Sequence, residues 1–233
     1  LSVEGFSRSG EFEDVSFAVR KGEILGFFGL IGSGRSEMMN ALFGMKAANG
    51  NIRIDGETAT ISSPVDAIAR RIAFVTENRK EEGLVLAHSV EWNISMAALG
   101  RFAASLGFMR KRQERKAAVD EVGRLTIKTA SVDTPVGALS GGNQQKAVLA
   151  KWLLTQPRIL ILDEPTRGVD VGAKFEIYKI IRQLAAEGTA ILLVSSELPE
   201  VLGMSDRLVV MHEGRLSATL PGGATPEAVM AHA

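Results

Sequence analysis

The sequence predicts an α/β fold in which an N-terminal antiparallel β portion precedes a mainly parallel sheet, with a helical subdomain inserted at about residues 88–156. Two observations carry this expectation. The apolar runs around residues 24–31 and 190–194 are short and almost uniformly hydrophobic, the pattern of strands buried on both faces. Between His88 and Gln156, by contrast, three segments have helical spacing and strand-like runs are absent.

Taken in order, the first twenty residues carry two short β signals, the second ending in Val15-Ser16-Phe17-Ala18-Val19, before a turn at Lys21-Gly22. A strand at 23–29 follows, and a glycine-rich loop opens into a helical pattern at 37–42. Residues 51–55 alternate, with Ile52 and Ile54 on one face, which predicts a half-exposed antiparallel strand. Another strand is expected at 72–76, then helices at 92–99, 113–125 and 144–154. After Pro157, strands at 159–163 and 190–195 flank an amphipathic helix at 174–186, whose Ile177, Tyr178, Ile181, Leu184 and Ala185 line one side. Residues 207–211, the turn His212-Glu213-Gly214 and residues 215–218 read as a hairpin. From Pro221 onward a loop and one short helix are expected.

With 233 residues, 45% of them hydrophobic, the chain can bury one sizeable core, and a single domain is expected. Net charge is zero and the charges are interspersed, so no nucleic acid partner is expected, although lone nucleotides remain possible. The absence of cysteine removes disulfides, thiolate metal sites and cysteine nucleophiles together. No apolar run approaches the ~20 residues that span a bilayer. The sequence opens at Leu1 without an initiator methionine or a signal region, and is expected to be a piece of a longer chain.

Gly29-Leu30-Ile31-Gly32-Ser33-Gly34-Arg35-Ser36 lies between an apolar strand and the helix that begins at Glu37, the context in which a glycine-rich loop binds phosphate. Gly29, Gly32 and Gly34 let backbone N–H groups turn toward phosphate oxygens, and Ser36 can place its hydroxyl on magnesium. A ligand-free strand–glycine–helix turn is the plain alternative. The lysine that such loops carry is here Arg35. Its planar fork does not replace a point charge threaded between phosphates, so binding is expected to survive where catalysis does not.

A second pair of motifs is more specific. Leu139-Ser140-Gly141-Gly142-Asn143-Gln144-Gln145-Lys146 leads into a strong helix, and the apolar strand that follows ends in Asp163-Glu164-Pro165-Thr166. Such an ending puts one carboxylate near a magnesium shell and the next near an attacking water; a buried strand that merely ends in acid is the alternative. Ser140 and its glycines form another helix N-terminus suited to phosphate, expected within one domain to lie far from residues 29–36. Two domains are therefore implied.

Together with the run Glu77-Asn78-Arg79-Lys80-Glu81-Glu82-Gly83-Leu84-Val85, the run from Asp163 to Lys174 and the run from Val194 to Val201, these motifs resemble the ATP-binding-cassette superfamily over essentially the whole chain. They look most like the C-terminal nucleotide-binding half of bacterial importers for simple sugars such as ribose, xylose or galactose. The resemblance implies a P-loop NTPase core, ATP and Mg2+ as ligands, and ATP hydrolysis. It also implies a second nucleotide-binding half, N-terminal in the same full-length chain, and membrane-spanning permease subunits supplied by a periplasmic or extracellular binding protein. The location it implies is peripheral, on the cytoplasmic face of the bacterial inner membrane.

Residue by residue, the resemblance implies that Phe6 stacks on adenine, with a core or surface phenylalanine as the alternative. It gives Gly29, Leu30, Ile31, Gly32, Ser33, Gly34, Arg35, Ser36 and Glu37 to ATP, and Ser36, Glu77 and Asp163 to Mg2+. Glu164 becomes the candidate general base. Leu139, Ser140, Gly141, Gly142, Asn143 and Gln144 would face the nucleotide of the other half, and Gly168-Val169-Asp170 would touch that half. Besides Arg35, two positions depart from the pattern: Glu77 stands for a glutamine that contacts magnesium, and Ser196 for a histidine that contacts the γ-phosphate. Losing one proton-handling or orienting group typically costs ~10²–10⁴ in rate. This half's own site is thus expected to be weak or silent while its signature completes the other. A non-hydrolysing regulatory ATP-binding module and a soluble cassette ATPase uncoupled from transport stay open as alternatives.

Other features are given plain roles. The basic run from Met109 to Lys116 reads as a solvated face, His88 and His232 lack metal-ligand spacing, and His212 is expected to be exposed. Trp92, Trp152 and Tyr178 are expected to pack in the core.

Overall fold

The structure is a computed structural model that describes residues 1–104 and 108–233. The chain divides into two compact units, one comprising Leu1–Phe74, Arg158–Glu164 and Ile181–Ala233, the other Val75–Pro157 and Pro165–Ile180. In chain order the elements begin with β1 (Ser2–Arg8), β2 (Phe12–Ala18), β3 (Ile24–Phe28), α1 (Arg35–Leu42), β4 (Asn49–Ile54), β5 (Glu57–Thr58), α2 (Pro64–Ala69) and β6 (Ile72–Val75). A π-helical turn (Arg79–Gly83), α3 (Val90–Ser95), a 3-10 turn (Met96–Phe102), α4 (Lys111–Arg124) and α5 (Gly141–Leu153) follow. The chain closes with β7 (Ile159–Asp163), α6 (Val171–Ala186), β8 (Ala190–Val194), α7 (Leu198–Met204), β9 (Arg207–His212), β10 (Arg215–Pro221) and α8 (Pro226–Met230).

The first unit carries two sheets, ordered β2-β1-β4-β5 and β10-β9-β3-β8-β7-β6. The smaller is antiparallel throughout; within β4 Ile52 is buried and Ile54, on the same face, half-buried. In the larger, β9–β3, β3–β8 and β8–β7 are parallel, while β9 and β10 form the antiparallel hairpin expected from the His212-Glu213-Gly214 turn. Glu213 and Gly214 both take positive φ, the geometry that lets a tight turn follow the twist of its strands. Strands β3, β7 and β8 are buried at every position, and burial of a large apolar side chain contributes roughly 1.5–3 kcal/mol. The one small residue in β3 has a packing cause: a Cβ on Gly26 would collide with Val201 and Ser205, so α7 can lie close only because that position is bare.

The second unit is largely helical, with α3 packed on α4 and α5. The helix expected at 92–99 is shorter: α3 ends at Ser95 and tightens into the 3-10 turn, where Ala98 leaves helical dihedrals. Asn93 is fully buried and closes the preceding loop, accepting from the Val85 N–H and donating to the carbonyls of Val85, His88 and Ser89. The basic run behaves as a solvated face except for its one acid. Glu114 is buried and accepts from the Ser95 hydroxyl and Lys111, while Lys111, Arg115 and Lys116 stay exposed. Trp152 is buried, but Trp92 corrects the expectation: it is 37% exposed and stacks on His88 with centroids 4.3 Å apart. Tyr178 is half-buried, edge-on to the exposed Phe175. No helix of the described residues is long and apolar enough to cross a membrane.

Candidate functional site

In the first unit the glycine-rich loop leaves the buried β3 and enters α1. Gly34 takes φ +88 as the residue before α1, and a Cβ there would approach the Glu11 carbonyl at 2.7 Å, so the turn is available to glycine alone. Leu30 and Ile31 stand out from the loop, Ile31 at 97% exposure, while Ser33 and Gly34 are buried. Arg35 does not extend to the loop mouth. It is 7% exposed, and its guanidinium donates to the Ser195 carbonyl at 2.8 Å, just past the end of β8. Burial pulls its pKa below the usual arginine range, opposed by the charges of Glu164, Asp163 and Glu37.

The carboxylates at the end of β7 differ sharply from each other. Asp163 is buried, and that burial lifts its pKa to about 6, with Glu164 and Glu37 adding to the rise and a hydrogen bond from Ser36 and the charge of Arg35 opposing it. Its Oδ1 is buried with no hydrogen-bond partner. Glu164 sits at φ +48, a region that costs a non-glycine residue of order 1–3 kcal/mol. Its backbone N–H donates to the Val194 carbonyl, and its carboxylate accepts from the Ser196 N–H at 2.7 Å. Ser196 therefore orients Glu164 through its backbone, with its own side chain exposed. An orphaned carboxylate oxygen beside a serine hydroxyl is a hard-oxygen set of the kind that takes Mg2+ with substrate phosphates and water completing the shell. No cluster of three His, Cys, Asp or Glu able to hold a metal occurs among the described residues.

The second unit holds the other glycine motif. Ser140, in extended conformation, precedes the thirteen-residue helix α5, and its hydroxyl accepts from Asn143, whose own Oδ1 accepts from the Lys128 N–H. Gln144 reaches back to the Leu139 carbonyl at 3.1 Å. Gly142 must be bare, since a Cβ would strike that of Ala173 on α6. A cavity of about 250 Å³ opens here, lined by Ser140, Gly142, Asn143, Lys146, Asp170 and Glu176. Asp170 receives the Ala173 N–H at the start of α6, Val169 is buried, and Gly168 takes φ +65. Lys146 is buried and paired with Glu176 at 2.6 Å.

One placement takes the alternative that the sequence reading kept open. Phe6 is 3% exposed, its ring packed 5.3 Å from that of Phe12, so it is a core residue with no open face for a base. Glu77 is exposed, and its carboxylate is ion-paired with Arg167. Sequence reasoning also passed over Arg79, which donates to the carbonyls of Arg167 and Gly168. Its only signal was membership of the run from Glu77 to Val85.

Residues 12–167 match the family described as ABC transporter. The chain is 52% identical, over all of its length and 47% of the relative's, to the ribose import ATP-binding protein RbsA of Oceanobacillus iheyensis. It is 53% identical, over 94% of its length and 43% of the relative's, to a putative ribose/galactose/methyl galactoside import ATP-binding protein of Hahella chejuensis. The chain thus spans about half the length of the curated relatives it matches. Among solved structures, a nucleotide-free ATP-binding cassette from an ABC transporter superposes with a TM-score of 0.84 at 24% identity, covering 99% of this chain and 94% of that one. A dimeric cassette in a post-hydrolysis state with ADP and Pi gives 0.79 at 19% identity, covering 96% and 99%. Both likenesses concern the fold.

Proposed function

This chain belongs to the ABC transporter family, and we propose that it is a nucleotide-binding half of a sugar importer. In this reading it binds ATP with Mg2+ and, paired with a second nucleotide-binding half, powers uptake of a monosaccharide through membrane-spanning permease subunits. A binding protein outside the membrane delivers the sugar, and this half sits on the cytoplasmic face. The names of the relatives support the cargo, which the chain's own residues do not select. The observation that carries nucleotide binding is the buried, unpartnered Oδ1 of Asp163 beside the Ser36 hydroxyl, at the start of a helix entered through a glycine-rich turn.

The N–H groups of the loop bind phosphate oxygens, and Ser36 and Asp163 hold Mg2+. When bound, the ion neutralises charge developing on the transferred phosphoryl group. Glu164, aimed by the Ser196 N–H, is the group that accepts a proton from water. Two features support a weak site on this half: Arg35 spends its guanidinium on the Ser195 carbonyl, and position 196 offers no imidazole. The signature, with Ser140 at the head of α5, is free of such departures and is assigned to the nucleotide of the other half. The test is ATP turnover by the full two-half chain with its permease. Glu164→Gln should leave most of the turnover, whereas Ser140→Ala should lower it ~10²-fold or more, the scale of losing an oriented electrostatic contact. The opposite ranking overturns the assignment.

A further inference from the structure

We propose that Arg79 is a positioning residue that locks the signature at Ser140, Gly141 and Gly142 to the loop Gly168-Val169-Asp170, so that the two present to the second half as one rigid surface. This rests on the reading that the signature serves the nucleotide of that half.

The geometry is a fork. Nη1 of Arg79 donates to the Arg167 carbonyl at 2.6 Å and Nη2 to the Gly168 carbonyl at 3.1 Å. The same guanidinium lies against the first residue of α5: a Cβ on Gly141 would meet Nη2 at 2.9 Å and the Gly168 carbonyl at 3.2 Å. Arg79 is thus placed where the signature and the 168–170 loop touch, and a side chain at residue 141 would crowd its guanidinium. Its charge is spent on neutral carbonyls, and its Nε is buried without a partner. Half-burying a guanidinium on such terms is a poor route to stability, since desolvation is repaid by two hydrogen bonds alone. What the arrangement supplies is direction, because a planar fork fixes two acceptors at once.

The turn that carries Arg79 is fastened at its other end. Gly83, the last residue of the π-helical turn, gives its carbonyl to Lys151 at 2.7 Å, and Lys151 is a buried side chain on α5. Glu77, just before the turn, grips the Arg167 side chain. A short turn is therefore bolted to the body of α5 through Lys151 and to the 167–168 segment through Arg79. Turns with this wide hydrogen-bond pattern recur at functional sites. The guanidinium bonded to the 167 and 168 carbonyls also lies beside residue 141, so a shift of either loop changes its surroundings.

The test uses the full two-half chain with its permease, comparing steady-state ATP turnover of the parent, Arg79→Ala, Arg79→Lys, Ser140→Ala and the double variant. Misplacing a reactive contact by about 1 Å costs up to ~10²-fold. Arg79→Ala should lower kcat about tenfold with KM for ATP little changed, because the loop that first binds ATP is untouched. Arg79→Lys keeps charge and bulk but cannot fork, and should lose nearly as much; it carries the test if the alanine chain does not fold. Adding Arg79→Ala to Ser140→Ala should cost nothing further. Parent-like turnover in Arg79→Lys, or losses that multiply in the double variant, overturn the proposal. Parent-like turnover in Ser140→Ala instead defeats the reading of the signature itself, and this inference falls with it.

Discussion

Lys151 gives a prediction that separates the electrostatic cost of a buried charge from its structural use. The side chain is 5% exposed, its ammonium donates to the Gly83 carbonyl at 2.7 Å and lies 4.9 Å from the centre of the Trp152 ring. Burial pulls its pKa from 10.5 down to about 8. Between those two values the unfolded chain holds a proton that the folded chain has released, so stability rises with pH across this window. Below about pH 8 both states are charged and the full penalty of burying the charge applies; above about 10.5 it is gone. A displacement of this size corresponds to at most about 3 kcal/mol. Lys151→Met preserves the apolar stem and removes the charge, but orphans the Gly83 carbonyl at a cost of about 1–3 kcal/mol, so the two chains should be nearly equal in stability at neutral pH. Urea unfolding at closely spaced pH values from about 7 to about 10.5 measures the difference, in which every other titrating group cancels. The parent should gain up to about 3 kcal/mol on the variant as pH rises. Parallel stability profiles would refute the reasoning.

Two further outcomes follow from single contacts. Arg35→Lys, shorter and unforked, should abandon the Ser195 carbonyl at a cost of about 1–3 kcal/mol and free a cation for the loop, raising ATP affinity of this chain; unchanged affinity by calorimetry would mean that Arg35 is not what limits the site. Gly142→Ala should destabilise by about 1–3 kcal/mol through overlap with Ala173, read as a lowered unfolding midpoint; a parent-like midpoint would show that α5 and α6 can part without loss.

The parts of this molecule legible in the sequence are those fixed by burial or by backbone. Residues 24–28, 159–163 and 190–194 are apolar at nearly every position because both faces of the sheet are covered, and that pattern survives in one dimension. The glycine motifs are legible for a related reason: Gly34 at φ +88 and Gly142 against Ala173 are positions only glycine fills. Side-chain direction is not legible in the same way. Arg35 occupies its motif position in sequence yet turns inward to Ser195, because a buried carbonyl in reach outcompetes an open loop. The resemblance implies adenine stacking for Phe6, but a strand residue that pairs opposite Val15 and meets Phe12 is claimed by its own sheet. Trp92 sits on an apolar-looking helix that ends too soon to cover it.

Arg79 extends the same argument to function. Nothing in its immediate sequence distinguishes it from Lys80 or Glu81, which share its polar run. Its role depends on two carbonyls at positions 167 and 168 and on a missing side chain at 141, none of them local. A motif search sees Gly141 and Gly168 as separate signals, each with its own backbone reason. The fork joins them: the guanidinium that lies beside residue 141 also donates to the carbonyl at 168, where φ is positive. In a site shared between two halves, the relative placement of loops on one half sets which contacts form together. The residue that fixes that placement carries no chemistry of its own, which is why it is invisible to a reading that looks for reactive groups.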